Sequence, residues 1–441
     1  MNALLGYSAY VPSYRLDRRV VAGYDEDSTT MAVAAAAPLL AGGGVAVPAL
    51  YFATSSPAYA DKTNACAIHA ALRLPDDVLA TDLCGTGRSA FAGIRAAATG
   101  GGLAVAADIR VGRPGSADER SGGDGAAALL FGDGPGIAET LGFASRTAEF
   151  LDRWRSPAEP TGQQWEERFG YESYAPLIRV TAAAALDAAG LADVDHVALA
   201  CPNAGILKRA ATLVKGQKST VSAPVGFCGS ADATLALCAV LDTAEPGDTI
   251  LVLSAVDGCD AMVLRTTEAL PSQRQSRSIA DQLDAGRPVA QLTYLSWRGL
   301  VTMEPPRRPE PDRPAAPPAG RTAAWKFGLT GSRCTTCSFV HLPPMRVCRS
   351  CGAEEMTDFP VATRTGTVAS YTVDHLAYSP SPPMVQAAID VYGGGRCTLE
   401  VADPRIELLA VGTGVGFRFR RLFTAAGIHD YFWKAVQLDG Q

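Results

Sequence analysis

The sequence predicts an α/β chain of two similar halves followed by a small all-β tail, and three patterns predict it. An order of strand, Cys-Gly helix opening and strand running into Ala-x-Asp occurs twice, about 145 residues apart. Four cysteines follow as two C-x-x-C pairs separated by ten residues, in CTTCSFVHLPPMRVCRSC. Beyond them, five short strand-like runs alternate with Gly, Pro and Asp turn signals.

The repeat organises residues 1–301. In the first half an apolar strand ends at FATSSP, a helix opens in DLCGTGRSAFAGIRAAATGG, and the strand LAVAAD follows. In the second half the order recurs as HVALACPN, GFCGSADATLALCAVLDTAEPGD and TILVLSAVDG. Strands and helices in this order make two α/β halves, about 1–150 and 151–301, packed as a pseudo-dimer with their helix openings toward the middle. The segment TMEPPRRPEPDRPAAPPAGR then carries seven prolines and little that could pack. It reads as a stiff linker over 302–322.

Cys334, Cys337, Cys348 and Cys351 fall in the next segment, 323–360. Each C-x-x-C pair forms a tight knuckle, and two knuckles close a tetrahedral four-thiolate site around one Zn²⁺. Disulfides or a redox pair are the alternatives. The other seven cysteines, Cys66, Cys84, Cys201, Cys228, Cys238, Cys259 and Cys397, stand singly in apolar contexts, as in a reduced compartment. A closed four-thiolate site has no position for substrate, so this zinc is structural. Residues 361–441 hold the runs GTVASYTVDHLAY, MVQAAIDVYGG, RCTLEVAD, GVGFRFRRLF and HDYFWKAVQ, which predict a five-stranded barrel of the OB type.

Composition bounds the function. The chain of 441 residues is 47% hydrophobic, enough to bury a large core. Its net charge of −6 supplies no basic stripe for nucleic acid and no polybasic surface for a membrane. No apolar run is long enough to span a bilayer, and the N-terminus lacks a basic region followed by an apolar core. A cytoplasmic enzyme is the expectation.

Several segments carry a resemblance: TNACAIHAALRLP, DLCGTGRSAF, SGGDGAAALLFGDG, the CPN after HVALA, AEPGDTILVLSAVDG and YLSWRGL. They resemble the thiolase superfamily, in its branch of hydroxymethylglutaryl-CoA synthase and ketoacyl-ACP synthase III. The four-cysteine segment and barrel, ending in RRLFTAAGIHDYFWKA, resemble the acyl-CoA-associated OB-fold partner of such enzymes, normally a separate chain. The resemblance implies a layered α-β-α-β-α body and an enzyme that makes or breaks a C–C bond on a CoA or acyl-carrier-protein thioester by Claisen or aldol chemistry. It also implies a homodimer or larger assembly.

The family's nucleophilic cysteine falls five residues after the strand aspartate, and five after Asp82 is Gly87. The family's histidine falls on Ala200, its asparagine on Phe227 beside Gly226, and its glutamate near Ser55. The usual Cys-His-Asn set is therefore replaced. Cys84 lies three residues before the expected nucleophile, Asn203 survives from the Pro-Asn of the second half, and Asp257 sits on a loop that borders the family's site. These three are the candidate catalytic residues, with Gly85, Gly87 and Cys228 as substrate-binding candidates and Cys201 beside them. Of the five histidines, His196 is nearest in sequence and reads as a surface or strand-edge residue. Asp124 reads as a turn organiser. Three functions stay open: a thioester enzyme without a covalent acyl-enzyme, in which backbone donors at Gly85 to Gly87 polarise the carbonyl; a conventional acyltransferase using Cys84; and a non-catalytic CoA-binding scaffold.

Overall fold

The computed structural model describes residues 1–223 and 225–438. The last three positions of the expected barrel segment lie outside the described residues. The chain forms two compact units: one of Met1–Ala22, Asp27–Cys66 and Pro75–Val289, the other of Gly23–Glu26, Ala67–Leu74 and Ala290–Gln441.

The first unit holds both halves of the repeat. Its first half runs β1 (Ala3–Tyr10), α1 (Ser28–Leu40), β2 (Ala49–Thr54), β3 (Leu79–Cys84), α2 (Gly87–Gly100), β4 (Gly102–Asp108) and β5 (Gly125–Gly132). The second half runs β6 (Ala138–Thr147), α3 (Glu167–Ala189), β7 (His196–Ala200), β8 (Ser219–Val221), α4 (Asp232–Leu241), β9 (Thr249–Ser254) and β10 (Gly258–Thr266). The strand order is β8-β7-β9-β10-β6-β1-β5-β4-β2-β3, so each half contributes five strands in mirrored sequence. The halves meet in the sheet through one antiparallel pairing, Leu4 with Ala138.

Burial explains why these segments become these elements. The run TILVLS of β9 and the GAAALLF stretch of β5 are buried throughout, as strands covered on both faces must be. Helix α4 is likewise buried along almost its whole length, whereas α2 buries one side through Ala90, Phe91, Ile94 and Ala97. Helix α1 packs on β1, β4 and β5, and α3 packs on β6, β9 and β10. Helices α2 and α4 touch each other and strands of both halves. That is the α-β-α-β-α layering, with α2 and α4 as the central layer. Two caps set the ends: the Asp27 and Thr30 side chains and backbone N–H groups close a capping box on α1, and Gly190 ends α3 at φ 68°. No helix among the described residues is long and apolar enough to cross a membrane.

The second unit contains the Pro-rich segment, the cysteine segment and the barrel. Residues 302–315 have no helix or strand, and Pro317 and Pro318 then open the helix Ala316–Arg321. Proline is tolerated there because first-turn N–H groups have no intrahelical partner. Three strands follow, β11 (Thr330–Cys334), β12 (Val340–His341) and β13 (Met356–Pro360), in the order β12-β11-β13. The tail supplies β14 (Gly366–Asp374), β15 (Met384–Val391), β16 (Arg396–Glu400), β17 (Gly414–Ala425) and β18 (Ile428–Gln437). Their order is β16-β15-β14-β17-β18, and a parallel bridge from Val401 to Ala435 brings the two edges together. Five strands closed this way form an OB-type barrel. Alternate residues Val385, Ala387, Ile389 and Val391 point to its core, as do Val415, Phe417 and Phe419.

The barrel also encloses charge. Arg420 contacts Glu26 at 2.7 Å, Asp403 at 3.1 Å and Asp25 at 3.8 Å, and Lys434 contacts Glu400 at 2.6 Å and Asp25 at 2.9 Å. Arg420, Lys434, Asp25 and Glu26 are all buried. Burial alone would raise the Asp25 carboxyl, but Lys434 and Arg420 hold it below its ordinary value. The network ties residues 23–26 to β16, β17 and β18, elements nearly 400 positions later in the chain.

Candidate functional site

The metal centre is built by two turns, one after β11 with Cys334 ending that strand and Cys337 following, the other between β12 and β13 with Cys348 and Cys351. The Sγ atoms of Cys334 and Cys351 lie 3.6 Å apart, and those of Cys337 and Cys348 3.5 Å apart. All four fall within 4.8 Å of one another. A tetrahedron with Zn–S bonds of about 2.3 Å has S···S edges of about 3.8 Å, so four thiolates at these separations fit Zn²⁺. The Ser350 N–H points at Cys348 Sγ at 3.4 Å, an orienting bond of the second knuckle. With every ligand supplied by the chain, the zinc holds the ribbon together and takes no part in substrate chemistry.

The second constellation lies where the helix openings of the first unit meet. Thr86 is the N-cap of α2, and its hydroxyl accepts from the Arg88 N–H at 3.3 Å. The turn Gly229–Ala231 precedes α4, and Asp232 accepts from the Cys228 N–H at 2.9 Å. The Ser230 hydroxyl donates to the Thr86 carbonyl at 3.2 Å, so the two openings are joined.

Asp108, at the end of β4, fixes this junction. Its fully buried carboxylate accepts from the Thr54 hydroxyl at 2.8 Å, the Ser55 N–H at 2.7 Å and hydroxyl at 2.9 Å, the Ser56 N–H at 3.1 Å and hydroxyl at 2.9 Å, and the Ser230 N–H at 2.5 Å. The repeated Ala-x-Asp signal could have found it, since Asp108 closes that motif in the first half. The matching Asp257 lies three residues past the end of β9, half-buried at φ 51°. Its carbonyl accepts from Arg88 Nη1 at 2.5 Å. Asp124 holds the Arg110 and Ala22 N–H groups, each at 2.8 Å, which is the work of a turn organiser.

Gly87 is buried at the first position of α2. A Cβ there would meet Val256 Cγ2 at 3.2 Å, the Gly229 carbonyl at 3.4 Å and Ser254 Oγ at 3.5 Å. A side chain at this position would therefore need the Val256 methyl to shift by a few tenths of an ångström. Cys84 ends β3, exposed and outside the helix. Burial, Asp82 and Asp108 push its thiol up, the reverse of what activates a nucleophile. Gly85 has φ 149°, and its N–H is taken by the Thr54 carbonyl at 3.1 Å. The remaining backbone donors at this opening are the Thr86 and Gly87 N–H groups, which a helix start leaves without intrahelical partners.

The second-half candidates are placed differently. Asn203 caps the short helix Ala204–Lys208: its Oδ1 accepts from the Ile206 N–H at 3.1 Å and its Nδ2 donates to the Glu167 carbonyl at 2.9 Å. Cys201 and Cys228 are buried, and burial pushes both thiols well up. Cys228 Sγ points at the Gly125 and Asp108 carbonyls, at 3.6 and 3.8 Å. His196 is buried inside the sheet edge, its ring between Ser219 Oγ at 2.7 Å and Asp248 at 2.9 Å.

Two arginines lie at Phe227 and a third at Ser55, none of them a candidate from the sequence. The Arg110 and Arg153 guanidiniums lie 5.2 and 5.1 Å from the Phe227 ring centroid. Arg110 Nη1 donates to Ser55 Oγ at 3.1 Å, and Arg155 donates to the Ser55 carbonyl. The only sequence signal for them is their density in DIRVGRPG and DRWRSP, loops whose meeting depends on the fold.

Residues 327–357 match the family described as ChsH2, rubredoxin-like zinc ribbon domain. The hydroxymethylglutaryl-CoA synthase of Aeropyrum pernix is 30% identical over 323 residues, covering 63% of this chain and 88% of that protein. The chain belongs to the hydroxymethylglutaryl-CoA synthase family. Its fold agrees with a solved HMG-CoA synthase complexed with CoA (TM-score 0.58, 16% identity, 67% of this chain and 89% of that one). It agrees equally with the HMG synthase of the curacin biosynthetic pathway in complex with holo donor-ACP (TM-score 0.59, 18% identity, 68% and 88%). The family is one of acyl-thioester condensing enzymes, and this member carries a zinc ribbon and barrel in the same chain.

Proposed function

We propose that this enzyme forms or breaks a C–C bond on an acyl thioester by Claisen or aldol chemistry without a covalent acyl-enzyme. The observation that carries the reading is at Gly87, the position the resemblance gives to the family nucleophile, which has no side chain and where a Cβ would press on Val256 Cγ2 at 3.2 Å. Burial, Asp82 and Asp108 push the neighbouring Cys84 thiol up, away from the thiolate a nucleophile needs.

In this reading the thioester oxygen sits on the Thr86 and Gly87 N–H groups, at the positive end of α2, where charge develops when the α-carbon becomes a carbanion. Asp257 is the proposed base. A reaction of this kind needs the carbonyl polarised and a proton moved, and neither demands an acylated thiol. The carrier is coenzyme A or an acyl-carrier protein, both seen with relatives of this fold, and the working assembly is a cytoplasmic homodimer.

A second reading uses Cys84 as an ordinary nucleophile, favoured by its being the exposed thiol at the helix opening. Turnover of the Cys84→Ala variant separates the two. Under the non-covalent reading the variant keeps kcat within about threefold of the parent; under the second it loses about a thousandfold or more, as removal of a covalent nucleophile does. A chain that binds no thioester in either form would instead be a scaffold.

A further inference from the structure

Arg110 is a guanidinium in an unusual setting. Its side chain is 12% exposed, and its ion pair with Asp118 Oδ2 is long, 4.0 Å and beyond hydrogen-bond distance, while Asp118 Oδ1 bonds Arg153 at 2.8 Å. Its hydrogen bond at Nη1 goes to a neutral hydroxyl, Ser55 Oγ, and its buried Nε has no acceptor among the described residues. Asp108 is close enough to attract it, but that carboxylate is saturated by its six hydroxyl and N–H donors. Burial, with the Arg153 and Arg155 charges beside it, pushes Arg110 below its usual value.

Burying a cation without a bonded counter-ion is costly, and the cost is removed when an anion arrives. Arg110 and Arg155 converge on the two oxygens of Ser55, while Arg153 shares the Phe227 ring with Arg110. Phe227 offers an apolar floor, and Arg155 is exposed, so the cluster is open to solvent on that side. Planar guanidiniums around a flat apolar ring match a carboxylate, which takes paired N–H donors in one plane.

We infer that Arg110, Arg153 and Arg155 form a recognition site for a free carboxylate on the acyl group or second substrate. This deepens the thioester reading above and rests on it. The substrate class is then a thioester whose acyl chain ends in a carboxylate, or a carboxylic acid that serves as its partner.

The test is calorimetric titration of the full chain with malonyl-CoA, acetyl-CoA, malonyl-pantetheine and free malonate, repeated on Arg110→Met, Arg110→Lys and Arg155→Met, each checked for an unchanged melting curve. The expected result is malonyl-CoA binding about tenfold or more tighter than acetyl-CoA, with malonyl-pantetheine keeping that preference. Arg110→Met and Arg155→Met abolish the preference, Arg110→Lys restores part of it, and acetyl-CoA affinity stays the same throughout. Arg155 is exposed, so its variant reads the site even where the Arg110 variant unfolds. Equal malonyl and acetyl affinity in the parent overturns the inference. So does a loss in the variants that affects both CoA esters but not malonyl-pantetheine, which would make the arginines a site for the CoA phosphates. If neither CoA ester binds, the thioester reading itself fails; free malonate that still binds the parent but not Arg155→Met would then show the carboxylate site without it.

Discussion

At the scale of single residues, the proposed chemistry turns on Gly87. The resemblance aligns Gly87, Ala200 and Phe227 with the family's Cys, His and Asn, and the non-covalent proposal rests on that alignment. What the sequence could not show is what a side chain at Gly87 would meet: Val256 and Ser254 come from β9 and the loop after it, about 170 positions away, and a Cβ would press on Val256 Cγ2 at 3.2 Å. Gly87→Cys is therefore expected to destabilise the first unit by about 1–3 kcal/mol and to gain no acyl-enzyme, as read by denaturant unfolding and intact mass. Asp232 gives a second residue-scale prediction. Burial pushes its carboxyl up to about 7, from 3.8 in the unfolded chain. Between those pH values the folded protein holds a proton that the unfolded chain has released. Stability accordingly falls as pH rises through that window, by up to about 4 kcal/mol from this group. Asp232→Asn should flatten that part of the stability-versus-pH curve, measured by urea midpoints from pH 4 to 8, and an unchanged slope would remove Asp232 from the account.

At the scale of elements, legibility followed the range of the interactions. The cysteine knuckles and the five barrel strands depend on neighbours in sequence, so spacing and alternation revealed them. The ion network around Arg420 and Lys434 depends on partners at Asp25 and Glu26, and no local pattern announces it. Two expectations belong here. Metal analysis should find about one Zn²⁺ per chain, and Cys337→Ser should lower both zinc content and the melting temperature of the second unit without altering α-helical circular dichroism. Lys434→Met should cost about 3–5 kcal/mol in urea unfolding, because it leaves half-buried Glu400 without its cation and buried Asp25 with Arg420 alone, at 3.8 Å. A change under about 1 kcal/mol would mean that water or a shifted side chain replaces Lys434.

At the scale of the whole molecule, the repeat sets the logic. Two five-strand halves in mirrored order bring two helix openings together. The duplication was legible because its strand-helix-strand order recurs in sequence. Which of the two Ala-x-Asp aspartates is buried at the junction was not, since the halves diverge in the loops: Asp108 is sealed by six donors while Asp257 is left half-buried. The arginines at Phe227 were hidden for the same reason. The central claim, that thioester chemistry here proceeds without acylation of the protein, is tested most directly by intact-protein mass spectrometry during turnover of an acyl-CoA. Turnover without acylation gives product with the chain at its unmodified mass, in the parent and in Cys84→Ala alike. An acyl adduct that maps to Cys84 and disappears with activity in the variant would contradict it.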